Sequence, residues 1–165
     1  MMIKVIIFLL FPAMLIAIPA ISYRNHTPRH MWLWLRMAHT QNCPKLLAYL
    51  LCIVVMLFHV SFFSVFPSDM GLMLSTLAVF YMLSPSRTVK LLTTVRHSGK
   101  SFICLAVLAV ITAPIPHLLS TSVVLAFMLL GSLFFPAKES STFYKSLKDD
   151  PDADRKFTDY YFRNE

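Results

Sequence analysis

Leu46 to Phe66 reads LLAYLLCIVVMLFHVSFFSVF. No Lys, Arg, Asp, Glu, Gly or Pro interrupts it. About 20 apolar residues carry a helix across a hydrocarbon core, and this stretch supplies them. A helix that is apolar all round has no wet face, so it belongs inside a large core or in lipid. The chain has 165 residues, 57% of them hydrophobic and only 14% charged. Mean hydropathy is +0.65. A soluble domain carries about 25% charged residues, and a chain this small cannot bury so much apolar side chain in one core. Disorder, a coiled coil and a disulfide scaffold are excluded by the same composition.

Four more apolar runs flank the first. Upstream, Val5 to Tyr23 covers about 28 Å as a helix and is interrupted by Pro12 and Pro19, which predict a kink. It reads as an uncleaved anchor. Read as a signal peptide, it would export the acid-free stretch holding Arg24, Arg29, Arg36 and Lys45. Downstream come Met70 to Leu83, Ser101 to Ala113, and Leu118 to Phe135. Pro67-Ser68-Asp69 and Pro114-Ile115-Pro116 mark tight turns within two helical hairpins. The Leu-Ser-Thr triplets at 74–76 and 119–121 hint at a repeat between the hairpins, a weak signal in leucine-rich sequence.

The fold class expected is all-α, an integral membrane bundle of about five transmembrane helices. Its parts are an anchor (1–23), a basic interfacial loop (24–45), a first hairpin (46–83), a second basic loop (84–100), a second hairpin (101–135) and a polar tail (136–165). The first loop mixes cations with Trp32 and Trp34, and a short helix on the membrane surface is one reading of it.

Charge sets the orientation. Net charge is +7, from 15 Lys+Arg against 8 Asp+Glu. With both loops and the tail in the cytoplasm, every Lys and Arg except Lys4 lies inside, as the positive-inside rule requires. Arg24, Arg29, Arg36, Lys45, Arg87, Lys90, Arg96 and Lys100 are the topogenic residues, and nucleic acid is not needed to explain them. The expected location is a bacterial inner membrane, with the N-terminus periplasmic and the C-terminus cytoplasmic. A four-span layout with a re-entrant fourth run would export the tail or a basic loop. In the tail, Phe157, Tyr160 and Tyr161 share helical spacing and predict a short amphipathic helix after Pro151.

Chemistry-bearing patterns are sparse. No GxSxG, P-loop, HExxH or CxxC occurs, and the glycines are only Gly71, Gly99 and Gly131. The three cysteines are scattered, and Asp150-Pro151-Asp152-Ala153-Asp154 lacks the Gly and Glu that complete a calcium loop. No cofactor, metal or catalytic set is expected. No Asp, Glu, Lys or Arg lies in the middle of an apolar run, whereas proton-coupled transport usually needs one. The polar residues worth following are His59 in the second run, and Asp69 and His117 at the two turns. Ala109 with Ala113, and Ser122 with Ala126, put small residues at helical spacing and predict close helix packing. The functional expectation is a non-enzymatic protein acting by helix–helix contact with a membrane-protein partner or a second copy: an accessory, immunity, exclusion or assembly factor. The alternatives are a transporter or channel subunit using His59, and an enzyme acting on lipid headgroups.

Overall fold

The computed structural model describes residues 13–22, 28–40, 42–65, 70–115, 117–147 and 150–163. All regular structure among them is helical. The helices are α1 (Ala13–Ser22), α2 (Pro28–His39), α3 (Cys43–Val65), α4 (Gly71–Met82), α5 (Pro85–His97), α6 (Gly99–Thr112), α7 (Leu119–Ser132), α8 (Lys138–Ser146) and α9 (Ala153–Arg163).

α7 is the hub, packed against α3, α4, α5 and α6. Its small residues permit this. Ser120, Ser122, Ala126, Gly131 and Ser132 are all buried, so neighbouring backbones approach from several sides. One core lies between α7, α3, α4 and α5, with Val55, Val79, Met82, Leu92, Val123 and Phe127 at its centre. A second joins α1, α5, α6 and α7 through Ile16, Val95, Phe102, Ala109, Ala126 and Leu129.

Among the described residues α3 is the longest helix, at 23 residues, about 34 Å at the helical rise. Pro44 in its first turn costs nothing, because that amide would lack a helical partner anyway. Only a narrow stripe of α3 is buried, represented by Ala48, Cys52 and Val55. Leu50, Ile53, Met56, Leu57, Val60 and Phe63 are exposed. The same holds for Met73, Leu77 and Phe80 of α4 and for Ile103, Val107, Val110 and Ile111 of α6.

By length and hydropathy, the segment Cys43–Ser64 can cross a membrane. Ala13–Ser22, Gly71–Met82 and Leu119–Ser132 are apolar but shorter, and α5 and α6 form a pair bent by 102°. Helix length alone therefore gives fewer full spans than the five expected from the runs of apolar letters. Much of the first run, and the turn at 66–69, lie outside the described residues.

Two further expectations change. The segment 84–100 is not a loop. Pro85 opens α5 after the extended Ser84, and Thr88, Leu92 and Val95 recur on one buried face. Gly99 begins α6, and Ser98 turns the corner by accepting from the Ser101 amide at 3.3 Å. The tail holds two helices, α8 and α9, packed on each other, with α9 also against α2. Phe157 and Tyr161 of α9 are buried.

Candidate functional site

The two hairpins meet where α4 and α7 begin. The Gly71 amide donates to the His117 carbonyl at 2.6 Å, and Thr121 Oγ1 donates to the Gly71 carbonyl at 3.0 Å. A Cβ on Gly71 would stand 2.7 Å from Ser120 Oγ, 2.9 Å from the His117 carbonyl and 3.0 Å from Leu118 Cα. Two of those neighbours are backbone, so only glycine fits this crossing. His117 has φ 69°, a left-handed conformation for a non-glycine residue, and its side chain is exposed. Its backbone, not its imidazole, makes the junction. Asp69, at the other turn, lies outside the described residues.

His59 reaches across from α3 to α4. Nδ1 is 2.9 Å from Ser75 Oγ and Nε2 is 3.1 Å from Thr76 Oγ1. Both hydroxyls also reach the Leu72 carbonyl. Each hydroxyl has one proton to share between that carbonyl and the ring, so the imidazole tautomer sets the pattern. The arrangement fastens two helices and engages both ring nitrogens. Ser120 Oγ is buried and has no hydrogen-bond partner among the described residues.

The small residues of α6 and α7 face each other. Ala109, Ser122 and Ala126 are fully buried, and Ser122 Oγ donates to the Ala109 carbonyl at 2.8 Å. Ala113 lies beyond the end of α6 and is half-buried.

At the opposite end, α2, α5, α8 and α9 gather. Arg36, Lys45, Arg87, Lys90 and Lys100 are exposed there, whereas Arg96 is buried with its guanidinium 5.8 Å from the Trp34 ring centroid. The structure describes α2 through Arg29 but not its side chain, and Arg24 lies outside the described residues. Trp34 also meets Tyr161 edge-on at 5.2 Å, tying α9 to α2. His97 has an exposed side chain and is held below the usual imidazole range by partial desolvation first, partly offset by a bond to the Pro136 carbonyl, and then by the charges of Lys138, Lys145 and Arg96.

A cleft of about 410 Å³ opens among these helices. Trp34, Met37, Phe135 and Phe157 line it with apolar surface, and Thr93, Ser141, Tyr144 and Lys145 with polar groups. Asp154 accepts from the Tyr144 hydroxyl at 3.2 Å, and burial, then the Asp154 charge, pushes that phenol up. In the acidic turn, Asp150 accepts from Lys156 and from the Asp152 amide. Its bond from Lys156 holds Asp150 below the usual carboxylate range. No group of three His, Cys, Asp or Glu suited to a metal occurs among the described residues.

Sequence reasoning missed Ser75 and Thr76 as the partners of His59, and it missed the cleft. The helical spacing of Thr88, Leu92 and Val95 was the signal that could have revealed α5 and its contribution to that wall. Compared with protein-family models, curated proteins and solved structures, the chain finds no match.

Proposed function

We propose that this chain is a small multi-pass protein of a bacterial inner membrane. It works without catalysis, by helix–helix contact with another membrane protein or a second copy of itself. The observation that carries this reading is the apolar face left exposed on α3, α4 and α6. Monomeric soluble proteins rarely expose contiguous apolar patches larger than a few hundred Å². In lipid the same surface is solvated, and part of it is free to meet a partner helix.

The layout assigned here has α1, α3, α4, α6 and α7 as spans. α4 at 12 residues and α6 and α7 at 14 cover about 18–21 Å, so the turns or a locally thinned bilayer make up the difference. The amphipathic helices α2 and α5 and the α8–α9 pair lie on the cytoplasmic side, with their cations toward anionic headgroups. The polar groups inside the bundle support a non-transporting role. His59 is engaged at both nitrogens and Ser122 at its hydroxyl, which leaves neither as part of an open polar path.

Site-specific photocrosslinking in cells tests the proposal. Probes at Leu77 or Phe80 on α4, and at Val107 or Val110 on α6, are expected to yield a discrete protein adduct from at least one face. Adducts to lipid alone at all four positions, with a protein that purifies as a monomer, would contradict it.

A further inference from the structure

The cleft between α2, α5, α8 and α9 has no part in the contact function proposed above. Its lining is apolar: Leu35, Pro44 and Val89 are half-buried, and Trp34, Phe135 and Phe157 are buried side chains at its edge. Its polar wall carries hydroxyls from Thr93 and Ser141 and the cation of Lys145. The charges of Lys138, Lys145 and Arg96 all act on His97 nearby, so several positive groups converge on this end. The opposing carboxylate at the wall, Asp154, is hydrogen-bonded to Tyr144. No acid occurs between Asp69 and Glu139 to neutralise α5. An occupant matching both surfaces has an apolar body and a negative head.

We propose that this cleft binds an anionic phospholipid of the inner leaflet, its phosphate at Lys145 and the hydroxyls and its acyl portion against Leu35, Pro44 and Val89, beside Trp34. The site rests on the membrane reading given above. Basic pockets at the cytoplasmic side of helical bundles take anionic headgroups by this same pairing of charge and apolar wall. A soluble phosphate compound shares the head chemistry but leaves the half-buried Leu35, Pro44 and Val89 uncovered.

The chain has two tryptophans, and one of them, Trp34, lines the cleft while Trp32 is exposed. Trp32→Phe therefore leaves a reporter inside the site. The full-length variant is reconstituted in phosphatidylcholine vesicles containing either brominated phosphatidylglycerol or brominated phosphatidylcholine at equal bromine content. Trp34 emission is expected to be quenched more by the brominated phosphatidylglycerol. Lys145→Gln and Lys138→Gln, both at exposed positions, are each expected to shift the lipid titration roughly five-fold to weaker binding. Equal quenching by the two lipids, or a preference untouched by either lysine change, would overturn the site. Loss of the preference on adding inorganic phosphate would also overturn it, in favour of a soluble phosphate ligand. The companion Trp34→Phe variant reports from Trp32. If neither tryptophan is quenched by either brominated lipid, the membrane reading itself fails; if only the lipid preference is missing, the cleft assignment alone fails.

Discussion

Gly71 and Gly131 occupy the same kind of position and differ in what surrounds them. A Cβ at Gly131 would meet Leu51, at the movable end of its side chain. At Gly71 it would meet the backbone of His117 and Leu118. Gly71→Ala is therefore expected to destabilise the bundle by about 1–3 kcal/mol, the usual range for overpacking. Gly131→Ala should cost distinctly less, and thermal unfolding of the two variants in detergent compares them. His59→Leu removes two bonds between α3 and α4 but leaves Ser75 and Thr76 their Leu72 carbonyl. Its expected cost is about 1 kcal/mol, given an average near 0.6 for such contacts in membrane helices. His97 supplies a pH dependence. Its folded-state pKa is depressed, chiefly by desolvation and then by neighbouring cations. Above its ordinary value of 6.5 both docked and undocked states are neutral and nothing changes. As pH falls below 6.5 the undocked state takes up the proton first, so packing around Pro136 weakens, and only slightly because the imidazole is exposed to water. Amide exchange in α8 should rise between neutral pH and about pH 5.5, and His97→Asn should flatten the response.

At the scale of elements, the apolar helices were legible because their cause is local. Pro, Gly and charge bracket each run, and α3, α4, α6 and α7 begin and end within a few residues of those marks. α5 was not legible as a helix because the four cations of 84–100 dominate the reading, while the Thr88, Leu92 and Val95 face matters only once α7 exists to receive it. The α2–α9 contact depends on residues far apart in sequence, and no local pattern pairs Trp34 with Tyr161. The spacing of Phe157, Tyr160 and Tyr161 did mark α9, and Phe157 and Tyr161 take its buried face while Tyr160 stacks on Phe143 at 4.0 Å. Trp34→Ala should release this tail, since deleting a buried Trp costs about 3–5 kcal/mol. Faster tryptic cleavage after Lys145, with the detergent-solubilised bundle otherwise intact, is the expected readout.

For the whole molecule, the arrangement follows from one competition. The chain has too many apolar groups for its small core, so α7 is enclosed while α3, α4 and α6 keep broad apolar faces outward. The candidate site was only half legible. His59 was visible as an imidazole in an apolar run, but its partners sit on the other arm of the hairpin, and the cleft takes its walls from five helices and the segment after α7. Bilayer orientation is the claim on which the contact function and the lipid site both depend. Its most direct test is cysteine labelling in spheroplasts, with Cys43, Cys52 and Cys104 replaced by serine or alanine. Met70→Cys should react with a membrane-impermeant maleimide from outside, and Lys145→Cys should react only after permeabilisation. The reverse pattern, or equal labelling of both, would contradict the account.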